Sequence, residues 1–261
     1  MSKEWFLQQQ NRALLRLRLV TAHIANTVGF LQRQKIADSI GFPQLLRRLD
    51  GIGIDYRHDR FLCSVVEATV LGELRLLKHK ARIPIDKGVT LFGIMDETGY
   101  LEEGEVFVTF DDADFISCRM SALDGLDIIV TRSPALHPGD IQLAFNIIPP
   151  DFHPLRMLRN CIVFSQKGKR DLPSCLSGGD LDGDLYGIIW DQRAVSQCKH
   201  IYEPADYPRV EPLNLGRTVN REDMTDFFVQ FMATDQLGLI AVKHMILADQ
   251  KDTGTADEGT G

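Results

Sequence analysis

Hydrophobic positions along the chain predict a helical region, a β-rich region and a second helical region. Over residues 4–37 apolar side chains recur every three or four positions, which predicts one or two amphipathic helices. Gly41 and Pro43 interrupt this pattern. A short helix through 45–49 and a longer one over 57–79 are predicted next.

From Pro84 onward the hydrophobic spacing changes to two residues, which indicates β-strands. Turn signals such as Glu97-Thr-Gly99 and His137-Pro-Gly139 separate the short runs. Short strands with frequent turns suggest a small closed barrel. We predict six strands, at 90–96, 105–110, 127–131, 141–148, 160–166 and 185–190. Helical spacing then resumes, with helices predicted at 222–232 and 237–247.

Composition narrows the functional classes. The chain has 261 residues, 44% of them hydrophobic, which is enough for a real core in one or two domains. Its net charge of −7 argues against a generic nucleic-acid-binding module, although catalytic acids would also add negative charge. The five scattered cysteines have no C-x-x-C spacing, and no signal peptide or membrane span is evident. These features predict an intracellular protein, cytoplasmic or nuclear, with no membrane contact.

Candidate chemistry is concentrated in the stretch from Ser177 to Asp191. Asp180, Asp182 and Asp184 alternate there, so an extended backbone would point all three carboxylates to one side. Gly183 frees the backbone to bend, so that the oxygens can converge. Hard oxygen ligands without His or Cys favour Mg²⁺ or Mn²⁺ over zinc.

Two other interpretations of these acids are a calcium loop and an acidic surface turn. The aspartates occupy the first, third and fifth positions of an EF-hand, but its sixth position requires Gly and here is Leu185. An apolar strand also follows at once, which places the acids at the mouth of a core rather than on a plain surface turn.

The sequence Ser177-Gly-Gly-Asp-Leu-Asp-Gly-Asp-Leu-Tyr186 resembles the metal-binding signature of the eukaryotic, cell-encoded RNA-dependent RNA polymerases of RNA silencing. Four further blocks are similar to that family in the same order: Ala81-Arg-Ile-Pro-Ile, Gly93-Ile-Met-Asp-Glu-Thr-Gly, Leu136-His-Pro-Gly-Asp and Val163-Phe-Ser-Gln-Lys-Gly-Lys-Arg. A more distant resemblance links Arg132-x-Pro-x-Leu-His and the acids to the largest subunit of DNA-dependent RNA polymerases.

These resemblances imply an α+β fold, in which a six-stranded double-psi β-barrel carries the acids on a loop and α-helices precede and follow it. The implied domains are a helical connector, the barrel, a C-terminal helical segment and a flexible tail, at 1–80, 81–192, 193–250 and 251–261.

The resemblance also implies roles for individual residues. The three aspartates would be both the catalytic residues and the metal ligands, with Mg²⁺ or Mn²⁺ as cofactor. Arg132 would bind the ribose of the incoming nucleotide, although a structural ion pair is an equal alternative. Lys167, Lys169 and Arg170 would contact phosphate or template, although basic runs are often only solvated. His137 is expected to be structural.

The implied function is RNA-templated RNA synthesis by two-metal nucleotidyl transfer. The expected partners are RNA template and product, nucleoside triphosphates and an upstream barrel of the same polymerase that is absent from this sequence. The chain is therefore expected to be a fragment that is inactive alone. The alternatives are a fragment related to the largest subunit of DNA-dependent RNA polymerases and a non-catalytic RNA-binding scaffold.

Overall fold

The computed structural model describes residues 2–36, 38–111, 123–198, 200–206 and 211–257. Residues up to Lys87 belong to one compact unit, and the strands that begin at Gly88 belong to a second. The tail predicted to be flexible at 251–261 lies partly outside the described residues.

The first unit is helical, as predicted. Local signals set the helix ends: Ser2 accepts a hydrogen bond from the Trp5 amide at the first helix, and Asp59 caps the last one. The helices pack around one hydrophobic core, which includes Val28, Leu31 and Leu46. The helices are α1 (Lys3–Leu19), α2 (Ile24–Arg33), α3 (Phe42–Gly51) and α4 (Arg60–Lys80).

Two arginines of α1 bind an acid that lies just before the first strand. Arg16 donates to Asp86 over 2.7 Å, and Arg12 lies 3.5 Å from the same carboxylate. About half of each arginine side chain is exposed. These pairs join the two ends of the helical unit.

The second unit contains a closed barrel of six strands in the order β1-β5-β2-β4-β3-β6. The β1–β5 and β2–β4 pairs are parallel and the other four are antiparallel. The predicted α+β class is therefore confirmed, and each strand lies within two residues of its predicted bounds. The strands are β1 (Gly88–Met95), β2 (Glu105–Thr109), β3 (Leu126–Arg132), β4 (Ile141–Asn146), β5 (Cys161–Phe164) and β6 (Leu185–Ile189).

Alternation along the strands separates two apolar clusters. Val106 and Val108 of β2 enter the barrel interior, whereas Phe107 between them packs into a cluster outside with Leu101 and Leu155. Every strand contributes to the interior, through residues such as Leu91, Val106, Ile128, Ala144, Ile162 and Ile188. This packed interior supports the loops at the barrel mouth.

Helices also follow the strands. The short helix α5 (Leu172–Cys175) lies between β5 and β6, and α6 (Gln192–Val195), α7 (Arg221–Thr234) and α8 (Leu237–Asp249) follow β6. No side chain of α7 is buried. In the described ranges, no helix combines the length and apolarity that a membrane span requires.

Candidate metal centre

The acidic loop, which we define as residues 177–184, connects α5 to β6. It is not an extended strand, since Leu181 and Gly183 adopt φ values of 63° and 117°. The Leu181 side chain packs against the barrel core, whereas Asp180 and Asp182 on either side of it are exposed. The loop thus places its acids on one side by turning its backbone rather than by strand alternation.

The three loop aspartates converge. One carboxylate oxygen from each of Asp180, Asp182 and Asp184 lies within 4.8 Å of the other two. The charge of Asp180 raises the pKa of Asp182, with a smaller contribution from Asp184. A divalent cation would relieve this repulsion, and an all-oxygen donor set fits a hard cation such as Mg²⁺. Because strand β6 follows in place of a helix, the loop does not form an EF-hand.

Asp184 is the buried member of the three, and Arg132 at the end of β3 neutralises it. The Arg132 Nη2 atom lies 2.6 Å from Asp184 Oδ1, and the Asp180 amide donates to Asp184 Oδ2 over 3.1 Å. Burial acts to raise the pKa of Asp184, but the Arg132 hydrogen bond and charge outweigh it and hold that pKa below its ordinary value. This shift favours the charged form of Asp184, whose two oxygens already accept from Arg132 and from the Asp180 amide.

Arg132 also anchors the start of the acidic loop, because its Nη1 atom donates to the Ser177 carbonyl oxygen over 3.0 Å. One guanidinium thus binds both ends of the loop. The structural ion pair considered for Arg132 is therefore present, with Asp184 as its partner.

The predicted basic residues differ in their contacts. Lys167 Nζ lies 2.5 Å from Glu102. Arg170 donates to the Ser174 and Ala205 carbonyl oxygens over 2.7 and 3.0 Å. The Lys169 side chain is exposed and makes no ion pair with any described residue. None of the three makes a described contact with the acidic loop.

His137 has the structural role expected of it. Its Nδ1 atom accepts a hydrogen bond from the Gly139 amide over 3.0 Å, which caps the short helical turn Pro138–Asp140. Asp140 completes this capping box by accepting from the His137 amide.

Tyr186 is a residue of this site that the hydrophobic pattern missed. Its ring is fully buried in the barrel, and its hydroxyl has no hydrogen-bond partner among the described residues. A Cβ atom on Gly179 would lie 2.5 Å from that hydroxyl, so only glycine at this loop position leaves room for the Tyr186 side chain. Burial, with the Asp184 charge adding to it, raises the pKa of Tyr186. An apolar strand position gives no sequence signal for such a buried hydroxyl.

Comparisons with known proteins identify the family of this chain. The family model described as RNA dependent RNA polymerase matches residues 1–260. RNA-dependent RNA polymerase 6 of Arabidopsis thaliana is 31% identical over 219 residues, which are 79% of this chain and 18% of that protein. RNA-dependent RNA polymerase 2 of the same plant is 37% identical over 190 residues, covering 69% of this chain and 16% of that protein.

A solved structure supports the fold. The RNA dependent RNA polymerase QDE-1 from Thielavia terrestris matches with a TM-score of 0.69 and 21% identity, covering 98% of this chain and 31% of that one. This likeness supports the double-psi form of the barrel. The chain spans less than a fifth of the two plant relatives. The family match over nearly the whole chain shows that it belongs to the RNA-dependent RNA polymerase family.

Proposed function

We propose that this chain supplies the metal-binding part of the catalytic centre of an RNA-dependent RNA polymerase that acts in RNA silencing. The reaction is the addition of a nucleoside triphosphate to an RNA 3′ end. The observation that carries the proposal is the convergence of three carboxylates on one loop at the barrel mouth. Family membership supports the same reaction.

In this proposal Asp180, Asp182 and Asp184 hold Mg²⁺ or Mn²⁺. Two such ions, when bound, lower the pKa of the attacking 3′-hydroxyl and stabilise the leaving pyrophosphate. Asp180 and Asp182 are exposed, so in this proposal they are the ligands that the triphosphate approaches. Asp184 is buried, and its pair with Arg132 fixes its position in the site. This arrangement presents the ligands without a large rearrangement of the loop.

Cations must balance the charge of the RNA and the triphosphate, because the chain itself carries a net charge of −7. We assign phosphate contacts to Lys169, whose side chain is exposed, and to Lys167 after it exchanges Glu102 for RNA. The Arg170 guanidinium is held by the Ser174 and Ala205 carbonyl oxygens, so we assign it a smaller share of the phosphate contacts. We assign the ribose of the incoming nucleotide to Arg132, whose guanidinium lies 2.6 Å from Asp184. An upstream barrel of the same polymerase would supply further cations.

Manganese binding tests the metal site directly. We expect the 261-residue chain to bind Mn²⁺, measured by water-proton relaxation enhancement, and Asp182→Ala to weaken binding strongly. Asp127→Ala is the matched control, since Asp127 is an exposed aspartate of β3 outside the acidic loop. Equal binding by wild type and Asp182→Ala would overturn the assignment of the site.

Template choice separates the proposed polymerase from its alternatives. In the full-length parent polypeptide we expect Mg²⁺-dependent primer extension on an RNA template. Extension on a DNA template but not on an RNA template would favour a relation to DNA-dependent RNA polymerases. RNA binding without extension on either template would favour a non-catalytic scaffold. The 261-residue chain alone is expected not to extend RNA, since it lacks the proposed upstream cations.

A further inference from the structure

Asp140 makes more hydrogen bonds than its turn requires. Its side chain is fully buried. The Oδ2 atom accepts from the Leu136 and His137 amides over 3.0 and 2.8 Å, which completes the cap of the turn after β3. The carboxylate also accepts from the amide of Ser177, which lies 37 residues further along the chain, and it competes with the Pro134 carbonyl oxygen for the single hydrogen of the Ser177 hydroxyl.

The contacts to Ser177 fix the first residue of the acidic loop. The Ser177 amide donates to Asp140 Oδ1 over 3.1 Å, and the Ser177 hydroxyl lies 2.9 Å from Oδ2 and 2.5 Å from the Pro134 carbonyl oxygen. Ser177 has a φ of 54°, a left-handed conformation that costs free energy in a residue with a Cβ atom. The hydrogen bond that the Ser177 amide donates to the buried Asp140 carboxylate stabilises this conformation.

From Ser177 the connection continues to a metal ligand. The Ser177 carbonyl oxygen accepts from Arg132, and the same guanidinium binds Asp184. Asp140 therefore holds one end of the loop while Arg132 joins that end to the other. Mg²⁺ tolerates little deviation from octahedral geometry, so the spacing of the loop carboxylates affects its affinity.

We propose that Asp140 is a positioning residue for the metal site: by fixing Ser177 it sets the spacing of the loop aspartates and hence their affinity for a divalent cation. The proposal rests on the proposed function of the acidic loop. Asp140 touches neither the cation nor the substrate. Groups that orient metal ligands typically change metal affinity 10- to 100-fold when they are removed.

Asp140→Asn is the sharpest variant. If the amide oxygen keeps the cap bonds at the Oδ2 position, the new NH₂ group faces the Ser177 amide, and two donors oppose each other. We expect Mn²⁺ affinity to fall about tenfold. Ser177→Ala removes only the hydroxyl and should weaken Mn²⁺ binding less.

Asp96 offers a matched control for stability. It is equally buried and accepts from the Thr98 amide, the Thr98 hydroxyl and the Leu101 amide over 2.9, 2.6 and 2.8 Å. These contacts stay within the turn after β1 and do not reach the acidic loop. Asp96→Asn should therefore lower the melting temperature without changing Mn²⁺ affinity.

The experiment is Mn²⁺ titration of the 261-residue chain and its variants by relaxation enhancement, beside thermal unfolding. In the parent polypeptide, Asp140→Asn should raise the metal concentration needed for half-maximal synthesis, and excess Mn²⁺ should restore the rate. If wild type binds Mn²⁺ and both Asp140→Asn and Ser177→Ala bind it equally well, the positioning role is wrong and the metal site stands. If wild type binds no Mn²⁺, the proposed function fails, and the positioning role fails with it.

Discussion

Two charged segments of the barrel unit differ in what their side chains contact. In the acidic loop, Asp184 is buried, paired with Arg132 and bonded to the Asp180 amide. In the basic segment, which comprises Lys167, Lys169 and Arg170, only Arg170 is held by several contacts within the chain. The geometry of the acids is therefore set by the fold, whereas the Lys169 side chain makes no ion pair with a described residue and Lys167 makes only an exposed one, to Glu102.

This difference has a functional consequence. A metal site needs its ligands in place before the cation arrives, because misplaced charges lose most of their electrostatic effect. A phosphate backbone is bound by charge over longer distances and tolerates movement of a flexible lysine. Changes in the acidic loop should therefore affect chemistry steeply, and changes in the lysines should affect binding gradually.

The largest expected effect follows from Asp182→Asn in the parent polypeptide. The change keeps side-chain size but removes a charged ligand, so RNA synthesis should fall by about 10³-fold or more. RNA affinity should remain within about twofold, because phosphate contacts carry it. Primer-extension kinetics and RNA titrations measure the two quantities, with Asp127→Asn as control. Near-normal synthesis would show that the acidic loop does not control the chemical step, and the contrast with the basic segment would fail.

Arg132→Met tests whether the acidic loop depends on its ion pair. The variant leaves the nearly buried Asp184 charge unpaired, which should lower the free energy of unfolding by about 2–3 kcal/mol at neutral pH, less than for a fully buried pair because Arg132 is partly exposed. The pKa of Asp184 is lowered in the folded state, so this stabilisation is present above its ordinary value of 3.8 and is lost as pH falls through the folded-state pKa.

Urea unfolding at several pH values measures this loss. Arg156→Met is the control, since its partner Asp151 is 79% exposed and the pair should contribute less than about 1 kcal/mol. A stability equal to wild type at neutral pH would show that the Arg132–Asp184 pair does not stabilise the loop.

Lys169→Glu should have a smaller effect, and the quantity that changes should be RNA affinity. We expect RNA affinity to fall about three- to tenfold at low salt and the salt dependence of binding to become shallower, with Mn²⁺ affinity unchanged. Lys243→Glu in α8 makes the same charge change at another exposed lysine and controls for net charge. A loss of Mn²⁺ binding in Lys169→Glu would show that the two segments are coupled.

Tyr186→Phe should give the smallest change. The hydroxyl is buried near the Asp184 carboxylate but makes no hydrogen bond of ordinary geometry to a described residue, so its removal should change the free energy of unfolding by less than about 1 kcal/mol. Tyr56→Phe is the matched control, because the buried Tyr56 hydroxyl lies 3.0 Å from Thr27 Oγ1 and its loss should cost about 1 kcal/mol. Thermal unfolding without added metal compares the two. A clear loss of stability in Tyr186→Phe would mean that the hydroxyl has a partner.

Local patterns were sufficient to predict the six strands and the longer helices, but not the short helices α5 and α6. Alternation and turn residues define the strands because both signals act within a few residues of the backbone they shape. The order in which the strands close the barrel depends on contacts between distant segments, so the hydrophobic pattern could not supply it, and the family resemblance implied only the double-psi topology. Apolar spacing also overstated burial in α4, where Phe61 and Leu71 are 71% and 53% exposed.

The acids of the candidate site were recognisable because they lie within one short motif. The contacts of Arg132 with Ser177 and Asp184 span some 50 residues and depend on side-chain direction, so spacing alone left an ion pair and a substrate role equally open. For the same reason, sequence spacing could not predict the hydrogen bond between Asp140 and Ser177. Sequence could name the turn that Asp140 caps but not the second loop that it contacts.

The close approach of Gly93 to Tyr186 has a consequence for how this barrel can vary. A Cβ atom on Gly93 would lie 2.3 Å from the Tyr186 ring and 2.9 Å from a methyl group of Leu181. Position 93 can therefore gain a side chain only if position 186 gives up its ring. Across relatives the two positions should covary, and a search for second-site suppressors of Gly93→Ala should recover smaller aliphatic residues at position 186 before changes elsewhere.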